Sequence, residues 1–124
     1  MRTAEIEING EKHLLCFNLW ALIECTERYG SLSGIGTALS EGGIGETAKE
    51  SLWLLETLMK AGAMYAVEMG LPNAEPLSAD KMLRTCGADF FVNLKAKIMD
   101  AINTGMSTNV KAENSKNVET TQVQ

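Results

Sequence analysis

Residues 50–70 read ESLWLLETLMKAGAMYAVEMG, the longest helical pattern in the chain. At ~100° per residue, Leu52, Leu54, Leu55, Leu58, Met59, Gly62, Tyr65, Ala66 and Met69 fall within one arc of ~160°. Lys49, Glu50, Glu56, Thr57, Lys60 and Glu68 fall on the other side. An apolar arc this wide belongs to a helix packed by several neighbours at once. Gly62, Ala66 and Gly70 form a small-residue row at i, i+4 and i+8. Such a row lets a second helix approach closely, more readily one of the same chain than a dimer mate. Trp53, Met64 and Val67 lie on the polar side, outside the apolar arc.

Upstream of this helix, residues 3–17 predict a β-hairpin. Ala4, Ile6 and Ile8 alternate with Glu5 and Glu7, and Asn9-Gly10 supplies the two positive-φ residues of a type I′ turn. The two-residue loop sets Glu7 opposite Lys12 and Ile6 opposite His13. A lone hairpin is marginal in water, so it must lay a face on the helices through Ile6, Ile8, Leu15 and Phe17. Asn18 then caps a helix over 19–29 that stops at Gly30. Leu19, Leu22, Ile23, Cys25, Thr26 and Tyr29 share its apolar face, and Trp20 points to the polar side.

Residues 30–46 hold six of the eleven glycines. They predict a long mobile connection with at most a short helical turn near Ile35 and Leu39. The central helix is expected over 47–69. Pro72 and Pro76 enforce a rigid turn after it. Ser78 caps a short helix over 79–86, and a last helix over 88–103 ends at Gly105. Residues 106–124 carry almost no large apolar side chains and predict a disordered tail. The fold class is therefore α+β: an N-terminal β-hairpin packed on a mainly α-helical domain of about four helices. The domain spans 3–105.

The chain has 124 residues and a net charge of −5, which argues against a phosphate-backbone binder. Hence no nucleic-acid partner is expected. No apolar run approaches the ~20 residues of a membrane span, and nothing resembles a signal peptide, so the expected location is the cytoplasm. Cys16, Cys25 and Cys86 form no CxxC motif and read as free thiols.

Chemistry is sparse. The single histidine, His13, reads as an edge-strand residue at the sheet surface. No HxxxH or ExxH pattern exists, so no metal site is expected. Gly43-Ile44-Gly45-Glu46-Thr47-Ala48 formally matches GxGxxA, a pattern that brings backbone close to a pyrophosphate. Here no convincing strand precedes it, and Glu46 would stand beside the phosphates. A flexible loop before a helix start is the simpler reading. No cofactor and no catalytic residue are assigned.

Trp53, Met64, Val67 and Trp20 are the candidate partner-binding surface, since large apolar residues on polar faces mark association and Trp is enriched at hot spots. The competing reading packs Trp20 under the hairpin and Trp53 under the glycine-rich loop. Self-association into a homo-oligomer is compatible with the same surface.

The order of elements, a strand pair with an NG turn (Ile6 to Phe17), a helix ending in YGS (Ala21 to Ser31), a loop, a long helix and the helical pair from Ser78 to Ile102, resembles the small tail assembly chaperones of long-tailed phages and prophages. That resemblance implies a non-enzymatic protein that binds tape-measure and tail-tube proteins. The alternative is a small adaptor or regulatory subunit of another bacterial assembly. A nucleotide-binding protein using Gly43 to Ala48 is a third reading.

Overall fold

The computed structural model describes residues 3–107. Its elements are β1 (Thr3–Ile8), β2 (Glu11–Cys16), α1 (Leu19–Tyr29), α2 (Leu32–Ser40), α3 (Ile44–Met69), α4 (Ala79–Thr85), α5 (Ala88–Val92) and α6 (Leu94–Met106). The fold is α+β, with six helices among the described residues in place of the expected four.

β1 and β2 pair antiparallel in the expected register, with Glu7 opposite Lys12 and Ile6 opposite His13. Asn9 and Gly10 take φ of 52° and 85°, the left-handed pair that a type I′ turn requires. The inward face buries Ile6, Ile8, Leu15 and Phe17. His13 is buried with them at 1% exposure, and neither ring nitrogen has a hydrogen-bond partner. The surface position expected for it is therefore wrong. Strand alternation puts residues 13, 15 and 17 on one side, and that side is the core face.

α3 is ~39 Å long at 1.5 Å per residue and touches β2, α1, α2, α4 and α6. This many neighbours explains its wide buried arc: Leu54, Leu55, Leu58, Met59 and Ala61 are all at 0% exposure. The close neighbour at Gly62 is a strand, not the helix expected from the small-residue row. A Cβ there would collide with the Leu14 carbonyl of β2. Gly70 has a different job. With φ 67° it closes the helix, as the Leu71 N–H reaches the Ala66 carbonyl at 2.8 Å. Met69, placed by periodicity on the apolar arc, is 58% exposed because the last turn of α3 projects past its neighbours.

Two boundaries differ from expectation for physical reasons. The glycine-rich connection contains α2, capped by the Ser31 hydroxyl accepting from the Gly34 N–H at 3.2 Å. Each helical glycine costs ~1 kcal/mol relative to alanine. Burying Ile35 and Leu39, one turn apart, returns ~1.5–3 kcal/mol each, so packing outweighs propensity. Gly34 is also required, since a Cβ would stand 2.5 Å from the Tyr29 carbonyl oxygen. The helix expected over 88–103 is broken at Asn93, whose φ of −106° and ψ of 4° separate α5 from α6. α6 then runs through Gly105 to Met106 instead of stopping before it. The tail expected over 106–124 lies outside the described residues beyond Ser107.

Glu56 ties α4 to α3. One carboxylate oxygen accepts from the Ala79 N–H at 2.8 Å and the other pairs with Lys60 at 2.8 Å. Burial opposes its ionisation, but Lys60 and the Ala79 N–H outweigh burial, and its pKa is lowered.

Gly62→Ala should destabilise the fold by about 3 kcal/mol, the upper part of the range for overpacking, because the colliding group is backbone. Gly36→Ala, in a helix interior with open space around it, should instead stabilise by about 0.5–1 kcal/mol. Urea midpoints of the two variants check both signs.

Burial lowers the pKa of His13 below its ordinary 6.5, with Glu11 opposing the shift. The unfolded chain therefore takes up the proton first. Stability is fully present above about pH 6.5 and falls as pH drops from there towards the lowered folded value. Denaturant midpoints between about pH 7.5 and 5.5 should fall in the wild type and stay nearly level in His13→Leu.

Candidate functional site

α1 begins where the hairpin ends. Asn18 Oδ1 accepts from the Ala21 N–H at 2.9 Å, which starts the helix immediately after Phe17. This leaves Leu19 in the first turn, 76% exposed, and places Trp20 against the edge of the core. The end of α6 closes on the same place. A Cβ at Gly105 would lie 2.5 Å from Phe17 Cβ and 2.7 Å from the Phe17 carbonyl oxygen, so only glycine permits the approach. Met106 follows at 51% exposure. α3 adds Tyr65. Together Phe17, Leu19, Trp20, Leu22, Tyr65 and Met106 line a groove of ≈ 530 Å³, and among the described residues no charged side chain lines it.

The opposite end of the α1–α3 pair is polar and closed. Arg28 meets Glu50 with two hydrogen bonds, 2.9 and 3.1 Å, and the Tyr29 hydroxyl donates to the same carboxylate at 2.7 Å. The Arg28 guanidinium stacks over the Trp53 ring at 4.4 Å, and Tyr29 meets Trp53 edge-on with centroids 5.8 Å apart. Arg28 holds the Glu50 carboxyl below its ordinary pKa against burial. Burial, then the bond to Glu50, pushes the Tyr29 phenol up. Because Tyr29 meets residues 50 and 53 while Leu22 shares the groove with Tyr65, α1 runs antiparallel to α3.

The four candidate residues therefore do not form one patch. Trp20 lines the groove. Met64 and Val67 are 40% and 79% exposed on the last turns of α3, adjacent in sequence to the groove residue Tyr65. Trp53 is ~18 Å away along α3, half-buried against the C-terminal end of α1. Its ring meets Arg28 and Tyr29, so it is not free in solvent.

Leu19, Tyr65 and Met106 are groove residues outside the four candidates; periodicity placed Leu19 and Tyr65 on apolar faces and gave no signal for Met106. Leu19 and Ile23 fall on the apolar face of α1, yet they are 76% and 52% exposed. Both point away from the buried stripe of α1, which Ala21 and Cys25 mark at 0% exposure.

At the start of α3, the Glu46 carboxylate accepts from the Gly43 N–H at 3.2 Å. A negative group of the chain itself occupies the end of the helix that a bound phosphate would need, which weighs against the nucleotide-binding reading. Cys25 is fully buried, its thiol pushed up to about 11 by burial and then by Glu24. Such a thiol stays protonated and poorly nucleophilic near neutral pH. Among the described residues, no group of three His, Cys, Asp or Glu side chains is placed to hold a metal ion. No described helix is long and apolar enough to cross a membrane. No family model matches the chain, and neither a curated protein nor a solved structure matches it.

Trp53→Ala should cost about 2 kcal/mol, below the range for fully buried tryptophans, because only part of the ring is covered. Met64→Glu and Val67→Lys should stay within about 0.5 kcal/mol of the wild type. Thermal melts of the three variants distinguish packing from surface roles.

Proposed function

We propose that the chain is a non-enzymatic tail assembly chaperone of a long-tailed phage or prophage, acting in the host cytoplasm on tape-measure and tail-tube proteins. The reading rests on the resemblance in the order of elements. The observation that carries the mechanism is the uncharged groove between α1, α3 and α6, with Trp20 in its lining and Leu19 and Met106 exposed.

A chaperone of this kind must cover apolar helix faces of a client before the client meets its final partner. Leu19 and Met106 present apolar area at ~25 cal/mol per Å² to any face that covers them. Trp20 offers a large, stiff surface, and Met106 adapts to clients of differing shape. Because α1 begins at Asn18 and α6 ends at Met106, the groove is formed by helix ends. It can accept a client helix without separating packed elements. The net charge of −5 favours solubility of the free chaperone and disfavours acidic competitors.

The test is co-expression with any tape-measure protein encoded beside this gene. Wild type should keep that protein soluble and co-elute with it. Leu19→Asp and Met106→Asp, both at exposed positions, should lower binding about tenfold or more while leaving the melting temperature unchanged. Full binding by the double variant would show that the groove is not the client site. A gene neighbourhood without tail-tube or tape-measure genes would sink the chaperone reading itself.

A further inference from the structure

The two edges of the hairpin are treated differently. In a hairpin with a two-residue turn, Ile8 and Glu11 exchange hydrogen bonds, as do Ile6 and His13. The residues between them turn their N–H and C=O groups outward. On β2 the outward residue Leu14 is sealed twice. Its N–H donates to Asn73 Oδ1 at 2.9 Å, and its carbonyl lies against the bare Cα of Gly62. On β1 the outward residues are Thr3, Glu5 and Glu7. α6 packs beside β1, and from it Lys97 Nζ donates to the Glu5 carbonyl at 3.4 Å. Between the hairpin and α6 runs a groove of ≈ 390 Å³, lined by Thr3 and Glu5 of β1, Leu14 of β2, and Lys97, Asp100 and Thr104 of α6.

We propose that the open edge of β1 binds an extended segment of a protein partner carrying Lys or Arg at alternating positions, adding a third strand to the sheet. The backbone groups of Glu5 and Glu7 supply the ladder. Their exposed carboxylates stand on one face at the two-residue period of a strand, so alternate side chains of an added strand fall beside them. Asp100 extends the negative lining. A second copy of this chain is the wrong occupant, because pairing two β1 edges sets glutamates of one copy against glutamates of the other. Lys97 acts as a removable guard. An exposed lysine is a common means of blunting an edge strand, and here it bonds one carbonyl over a long, solvent-exposed stem. This binding mode is independent of the apolar groove at Trp20.

The experiment titrates an alternating lysine–valine octapeptide into the full-length protein and follows backbone amides by NMR. The shifts should map to Thr3, Glu5 and Glu7, and a glutamate–valine peptide should not bind. Glu5→Pro removes an outward N–H without touching the ladder to β2, and should weaken binding about fivefold. Lys97→Met should tighten it. Should Glu5→Pro perturb folding, the Glu5→Lys, Glu7→Lys pair decides the matter by reversing the preference towards the glutamate–valine peptide. Equal binding of the two peptides, shifts confined to Trp20 and Tyr65, dimerisation through β1, or no binding to wild type and Lys97→Met at millimolar peptide would each overturn the proposal.

Discussion

The contact between the Leu14 carbonyl and Gly62 holds the hairpin to the helices, and much else follows from it. A two-stranded sheet in water is marginal, and its exposed strand edges invite pairing with other chains. Here the middle of α3 lies directly against the outer edge of β2, which is possible only where the helix lacks a Cβ. Asn73 completes the seal from the turn after α3 by accepting the Leu14 N–H. With β2 fixed, the chain leaves Phe17 at a set place, α1 starts at Asn18, and α6 closes on Phe17 through Gly105. Two glycines far apart in sequence thus serve one purpose, letting helix backbone touch the hairpin and its exit.

The antiparallel pair of α1 and α3 has two unlike ends. At one, Arg28, Tyr29, Glu50 and Trp53 lock together through hydrogen bonds, an ion pair and ring stacking. That end is saturated, so Trp53 has little left to offer a partner. At the other, Leu19, Trp20, Tyr65 and Met106 surround an open groove with no charge in its lining. One end of the pair is thus polar and packed, and the other is open and apolar. On the proposed masking role, the groove at Trp20, and not the packed ring of Trp53, is the surface offered to a client.

Much of the local structure was legible in the residues. The hairpin register followed from Asn9-Gly10 and the alternation of Ile6 and Ile8. Helix starts followed from Asn18 and Ser78, and the end of α3 from Gly70. The errors have physical causes. α2 was hidden because Gly34 and Gly36 lower helix propensity, while the burial of Ile35 and Leu39 that compensates depends on α1 and α3. His13 is buried in spite of its polarity because strand alternation sets it beside Leu15 and Phe17 on the core face. Leu19 lies off the stripe of α1 that Ala21 and Cys25 bury, and Met69 lies on the last turn of α3.

By itself, the sequence determined which segments pair, curl or cap, because those outcomes depend on residues within a few positions of one another. It also determined that α3 would have many neighbours, from the width of its apolar arc. Only the tertiary structure decided which neighbour meets Gly62, that Gly105 lies against Phe17, and that Trp20 and Trp53 sit at opposite ends of a helix pair. These depend on contacts between residues tens of positions apart. A small-residue row states that something comes close, but cannot say whether it is a helix or the edge of a strand.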